Sequence, residues 1–167
     1  MSSKTKILDA SQVKQKLIRL AWQVYEHNAD EQEIIVVGIA ERGFMLAKKL
    51  AKYIEQISNI RIIVTQVRLD KKSPYNKEVS IGIDQQVYSN KVVIMVDDVL
   101  NSGKTLIYGA KHFLTTPLKK LSTVVLIDRN HNRYPIKADY VGLSLATTLK
   151  EYISVELSGK EQGVYLS

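Results

Sequence analysis

The chain has 167 residues, 45 % hydrophobic and 25 % charged, with 24 basic against 17 acidic side chains and a net charge of +7. That length suits one domain (1–167) with a sizeable core, and there is no uncharged apolar run of about 18 residues to cross a membrane. The absence of cysteine excludes a disulfide framework and any thiolate metal site, and no apolar stretch of the secretory type opens the sequence, so a cytoplasmic protein is expected. The positive charge is spread over Lys14, Lys16 and Arg19, Lys48, Lys49 and Lys52, Lys71, Lys72 and Lys77, Lys119 and Lys120, and Arg129, Arg133 and Lys137. No single stripe owns it, which favours solvated helix faces plus an anion-binding cleft.

In chain order, residues 9–28 predict an amphipathic helix with Val13, Leu17, Leu20, Ala21 and Val24 on one face. Asp9 and Gln12 are spaced as a capping box at its start. The run Ile34–Ile39 is continuously apolar and largely β-branched, as in a strand buried on both faces. Residues 44–57 return to helical period, and Arg61–Val67 predicts a second strand. Residues 69–85 are polar, with Pro74 and Gly82, and read as a long loop of the mobile, functional kind. Lys91–Val96 is the third strand. A helix after Gly103 turns Leu106, Ala110 and Phe113 inward and stops before Pro117. Thr123–Asp128 is the fourth strand, and short strands follow near Ala138–Gly142 and Tyr152–Leu157.

Strands alternating with helices predict an α/β fold: a doubly wound, mainly parallel sheet flanked by helices. Ligands of such sheets sit beyond the carboxyl ends of the strands. Here those ends are Ala40–Gly43, Arg68–Lys72, Asp97–Thr105 and Asp128–Arg133, all polar or glycine-bearing.

The most informative segment is Val93-Ile94-Met95-Val96-Asp97-Asp98-Val99-Leu100-Asn101-Ser102-Gly103-Lys104-Thr105. Two adjacent carboxylates close an apolar run, and a tight turn then opens a helix. Backbone N–H groups and hydroxyls in such a turn suit a phosphate, while the carboxylates suit sugar hydroxyls or a metal. Gly103-Lys104-Thr105 invites comparison with an NTP-binding P-loop. That loop requires a glycine where this chain has Asp98, whose charge would repel the phosphates.

The same segment resembles the phosphoribosyl-pyrophosphate (PRPP) signature of type I phosphoribosyltransferases. The resemblance implies that family's fold, with a small hood segment, and the transfer of a phosphoribosyl group to a nucleobase. It also implies that Asp97 and Asp98 hold the ribose hydroxyls, and that Val99, Leu100, Asn101, Ser102, Gly103, Lys104 and Thr105 wrap the 5-phosphate. Val37-Gly38-Ile39-Ala40-Glu41-Arg42-Gly43 resembles the pyrophosphate loop, which assigns Ala40, Glu41, Arg42 and Gly43 to that group. Mg²⁺ would arrive mainly through PRPP, with no dedicated metal site in the protein. Asp97, Asp98, Arg42 and Arg68 are the expected catalytic residues, with Lys71 a further cation for departing pyrophosphate.

Purine-transferring members commonly carry an acid three positions after the second aspartate. Here Asn101 stands there, and an amide cannot take a proton at neutral pH. A closer resemblance is to the pyrimidine operon attenuator and uracil phosphoribosyltransferase family, through Leu46–Leu50 and above all Leu126–Gly142. It implies uracil as the base, with Arg129, Ile136 and Tyr140 on the base side, and a homo-oligomer as the assembly. The family's Tyr-Arg-Asp-Asp lid reads here as Val67-Arg68-Leu69-Asp70, which puts fast closure in question. Its RNA-contacting positions are also altered, to Ile18-Arg19, Trp22, Asn132 and Lys137, with Arg19, Lys137 and Lys150 as partial matches. RNA is therefore a less favoured partner. The alternatives are a weakly catalytic or non-catalytic nucleotide-sensing RNA regulator and a purine phosphoribosyltransferase.

Overall fold

The computed structural model describes residues 3–167. Strand β1 (Thr5–Asp9) leads into helix α1 (Ala10–Glu26), then strand β2 (Glu33–Ile39), helix α2 (Ala40–Ile57) and strand β3 (Arg61–Arg68). Next come the short strand β4 (Ser80–Ile81), a single helical turn α3 (Gln85–Tyr88), strand β5 (Val92–Leu100) and helix α4 (Lys104–Phe113). Strands β6 (Lys120–Asp128), β7 (Tyr140–Ser144), β8 (Ile153–Glu156) and β9 (Gly163–Leu166) complete the chain.

Six strands form the main sheet in the order β4-β3-β2-β5-β6-β7, all parallel except β4, which runs antiparallel to β3. The sheet is buried on both faces, and the period of two along its strands divides the core. Ile34, Val36, Ile94, Val96, Val124 and Leu126 face α1 and α2. Ile35, Val37, Val93, Met95 and Val125 face α4 and the Tyr88–Phe113 pair. The β2 residues Ile34–Val37 are wholly buried, and each such side chain contributes roughly 1.5–3 kcal/mol of apolar transfer. Strand β2 lies between β3 and β5, so the chain reverses its winding direction at the β2–β5 pair. That reversal opens a crevice beyond the carboxyl ends of those two strands.

The capping box at Asp9 forms as expected: Gln12 N–H donates to Asp9 Oδ1 at 2.8 Å, and Asp9 N–H donates to Gln12 Oε1 at 2.9 Å. Three expectations shift. Helix α2 starts at Ala40, not 44, so the Ala40–Gly43 turn is its first turn. Strand β5 continues through the carboxylates to Leu100, because Val99 and Leu100 pair with Ile127 and Asp128 of β6. The stretch 69–85 is not all loop, since β4 docks on β3 through Val67 and Arg68.

A second, three-stranded antiparallel sheet has the order β1-β9-β8. This small sheet is built from both ends of the chain, whereas Leu126–Asp128 and Tyr140–Gly142 lie on strands β6 and β7 of the main sheet, joined by the irregular stretch 129–139. No helix among the described residues is long and apolar enough to cross a membrane.

Candidate functional site

Asp97 and Asp98 sit on the last part of β5, 2 % and 5 % exposed. Asp97 Oδ1 accepts from the Asp98 N–H at 2.9 Å. Two carboxylates so deep need a counter-charge, and Lys71 provides it. Its Nζ lies 3.0 Å from Asp97 Oδ1 and 3.5 Å from Asp98 Oδ1. Burial pushes the Asp97 carboxyl up to about 8, against the pull of Lys71 and with a further push from Asp98. Burial lowers the proton affinity of Lys71, but the two carboxylates outweigh it, so its ammonium is held up.

The folded-state value of Asp97 lies above its ordinary 3.8. Its contribution to stability is therefore full below about pH 4 and is lost as pH rises through about 8. The melting temperature of the ligand-free protein is expected to fall as pH rises from about 4 to about 8, and Asp97→Asn to flatten much of that slope. Thermal melts across this range check it.

Beyond β5, only Asn101–Gly103 is irregular before α4 begins. Gly103 adopts φ +88°, a left-handed conformation costly for any residue with a Cβ. A Cβ there would also meet Ile136 Cγ2 at 2.7 Å. The carbonyl of Ser102 accepts from Arg133 N–H at 2.8 Å and Tyr134 N–H at 3.1 Å. The segment after β6 thus holds the turn in place. The Gly103 N-cap of helix α4 offers no side chain; the Lys104 N–H donates to Ser102 Oγ at 3.3 Å, and the next N–H groups of the first turn are available to an anion. A cavity of about 200 Å³ faces them, lined by Lys71, Asp97 and the whole run from Val99 to Leu106. Lys104 points elsewhere: its Nζ donates to the Lys72 carbonyl at 3.0 Å and lies over the Tyr75 ring.

The second turn follows β2. Ala40 takes φ +53°, a strained value that costs on the order of 1–2 kcal/mol. Helix α2 likewise has no side-chain cap. Gly43 lies against β5, where an added Cβ would stand 2.7 Å from the Val96 carbonyl oxygen. Arg42 reaches towards Glu156 of β8, 3.8 Å away, and stays half exposed. A cavity of about 410 Å³ joins this turn to the carboxylates, lined by Ala40, Glu41, Arg42, Lys71, Asp98, Val99, Asn101, Tyr152 and Ile153. The two cavities share Lys71, Val99 and Asn101.

On the base side the structure departs from expectation. Tyr140 begins β7, opposite Val124, and is 8 % exposed with its ring edge-on to His27. That is the amino end of the strands, so Tyr140 is a core residue remote from the cavities. Ile136 touches Gly103 and lines neither cavity. Arg129 is 9 % exposed and bonded to Asn101 and to the 147–151 segment. Arg68 is exposed at the end of β3 and outside both cavities, so Lys71 is the cation from this stretch that reaches the carboxylates. Tyr152 and Ile153, read from sequence only as part of a strand, form a cavity wall. The 58 % exposure of Tyr152 marks an aromatic left uncovered at a pocket mouth, which no local pattern reveals.

A doubly wound sheet with an acidic strand end between two uncapped helix starts defines a phosphorylated-ligand site of the phosphoribosyltransferase type. Residues 3–157 match the phosphoribosyl transferase domain family, and the chain belongs to that family. It is similar to the Bifunctional protein PyrR of Oceanobacillus iheyensis, at 36 % identity over 97 % of this chain and 95 % of that one. It is also similar to the Bifunctional protein PyrR of Bacillus subtilis, at 34 % identity over 97 % and 94 %. Among solved structures, a hypoxanthine-guanine phosphoribosyltransferase from Bacillus anthracis superposes with a TM-score of 0.72 at 24 % identity, covering 90 % of this chain and 87 % of that one. The hypoxanthine phosphoribosyltransferase of Trypanosoma cruzi gives 0.74 at 16 %, covering 89 % and 84 %. At these identities the two structures speak for the fold alone.

Proposed function

We propose that the protein transfers the 5-phosphoribosyl group of PRPP to uracil, releasing pyrophosphate. The observation that carries this reading is the pair of joined cavities: a buried dicarboxylate floor lies between two helix starts with unspent N–H groups. Asp97 and Asp98 would accept from the ribose hydroxyls. Ser102, Gly103, Lys104 and Thr105 would hold the 5-phosphate, and the Ala40–Gly43 turn with Arg42 the pyrophosphate.

The described residues contain no grouping of three or more His, Cys, Asp or Glu side chains suited to a metal. Two adjacent carboxylates do fit a hard cation that keeps oxygen ligands from substrate and water, as Mg²⁺ does. Held beside Asp97 and Asp98, Mg²⁺ would neutralise charge on the pyrophosphate and make it a better leaving group. Lys71 Nζ sits on both carboxylates and would have to make room for the ribose hydroxyls. Lys71 and Arg42 line the same cavity, so both cations would counter the departing charge.

The bond from ribose C1 to pyrophosphate breaks with its electron pair on the leaving oxygen. The base nitrogen forms the new bond to C1 and gives up its proton to water. Positive charge develops on the ribose between these events, and the carboxylates below stabilise it. Tyr152, which lines the same cavity as Asn101, would supply an aromatic surface for the base.

A PRPP-dependent assay with Mg²⁺ over a panel of bases tests the reading. Uracil is expected to be used in preference to hypoxanthine, guanine and orotate, and turnover of hypoxanthine alone would overturn the pyrimidine assignment. The RNA-regulator alternative loses support at Arg19, whose guanidinium donates to the carbonyls of Val141 at 3.1 Å and Gly142 at 2.5 Å and to Gln23. A guanidinium so engaged is withdrawn from a phosphate or base contact.

A further inference from the structure

Arg129 is spent almost entirely inside the protein. Its Nε donates to Thr147 Oγ1 at 2.9 Å, Nη1 to Asn101 Oδ1 at 2.8 Å, and Nη2 to the carbonyls of Thr148 at 3.2 Å and Glu151 at 2.7 Å. A guanidinium has five N–H donors and no acceptor. The amide atom that Asn101 turns towards Arg129 must therefore be its oxygen, which settles the amide orientation on chemical grounds. Nδ2 is left on the opposite side and makes no hydrogen bond among the described residues. Asn101 is exposed and lines both cavities, at the boundary between the phosphate turn and the chamber walled by Tyr152. The same guanidinium grips the carbonyl of Glu151, the neighbour of Tyr152. One buried cation thus holds Asn101 and the residue next to Tyr152, and Asn101 and Tyr152 border the same cavity.

We propose that Asn101 is a specificity-determining residue, fixed by Arg129 so that Nδ2 donates to a ring carbonyl oxygen of the base. This rests on the phosphoribosyl-transfer reading and narrows it. A fixed donor rewards a ring presenting a carbonyl and is left unpaired beneath a ring that lacks one there, the kind of mismatch that discriminates between bases. Arg129 acts through Asn101 and is a positioning residue.

The test compares wild type with Asn101→Asp, Asn101→Ala and Arg129→Lys. Steady-state kinetics are run for uracil and PRPP with Mg²⁺, and binding of uridine monophosphate and of ribose 5-phosphate is measured by calorimetry. Asn101→Asp keeps the shape and the bond from Arg129 but turns the donor into a charged acceptor. Its kcat/KM for uracil is expected to fall about 30-fold or more, and ribose 5-phosphate affinity by a smaller factor, because the new carboxylate also borders the phosphate turn. Asn101→Ala is expected to lose about tenfold in the same pattern. Arg129→Lys, with fewer and non-planar donors, is expected to lose about tenfold, and adding Asn101→Asp to it to cost less than the sum of the two. A purely structural role would weaken uridine monophosphate and ribose 5-phosphate together. If Arg129→Lys fails to fold, the two Asn101 variants carry the test. Retention of uracil kcat/KM within about threefold in Asn101→Asp, or equal loss for both ligands, overturns the inference and leaves phosphoribosyl transfer standing. A wild type that binds ribose 5-phosphate but neither turns over uracil nor gains affinity from the base of uridine monophosphate overturns the uracil reading and the inference with it.

Discussion

Asp98→Asn is expected to lower PRPP-dependent nucleotide formation by about 100- to 1,000-fold, the usual cost of removing one preorganised electrostatic stabiliser. The substitution keeps the volume of the side chain and removes its charge, so it isolates the electrostatic contribution. Asp98 is 5 % exposed and 3.5 Å from Lys71 Nζ. In that enclosed setting a carboxylate facing a developing ribose cation acts with little solvent screening. The fold should survive, because the substitution keeps the side-chain volume and Lys71 Nζ retains Asp97 Oδ1 at 3.0 Å. Rate measurement together with a thermal melt checks both halves. Wild-type rates in a folded variant would refute the ribose-binding assignment.

Gly38→Ala is expected to have the largest effect on stability, about 3 kcal/mol or more, which lies at the upper end of overpacking costs. An added Cβ would stand 2.2 Å from Phe44 Cα, 2.5 Å from Phe44 N and 2.6 Å from Gly43 O. All three are backbone atoms, so no rotamer change relieves the clash. Only a shift of α2 away from β2 would, and that shift would carry Arg42 and the Ala40–Gly43 turn out of the cavity wall. Against a typical total stability of about 5–15 kcal/mol the loss is severe. Gly159→Ala is the control. Gly159 has φ +76° and nothing within 4 Å of the added atom, so its cost is expected to stay near 1 kcal/mol. Denaturant midpoints of the two variants, with the slope checked for constancy, measure the difference.

Gly38 also shows how much of the site was legible before folding. Its place in Val37-Gly38-Ile39-Ala40-Glu41-Arg42-Gly43 marked a turn, but the reason for the glycine is the approach of Phe44 on the next helix. The carboxylate pair was legible because two charges at the end of an apolar run are conspicuous in one dimension. The strand containing them was set too short, since Val99 and Leu100 gain their partners only from β6, more than twenty residues on. Strands β1 and β9 were missed for the same reason: they pair with each other across the full length of the chain, and each is too short to announce itself. Tyr140 was assigned to the base side by likeness along the chain, yet register places it at the amino end of β7.

The sequence by itself determined the elements whose signals are local. These are the amphipathic helices with the Asp9 capping box, the both-sides-buried strands, the Asp97-Asp98 pair and the glycine turn that opens α4. Periodicity, caps and turn chemistry act over a few residues, and their free energies are paid out where the residues stand. Only the tertiary structure decided which side chains meet: Lys71 on the carboxylates, Tyr152 and Ile153 on the cavity wall, Arg129 withdrawn from ligand contact to hold Asn101. Such meetings depend on sheet register, on loop paths and on which buried charge finds a partner, and none of these is a property of neighbouring residues.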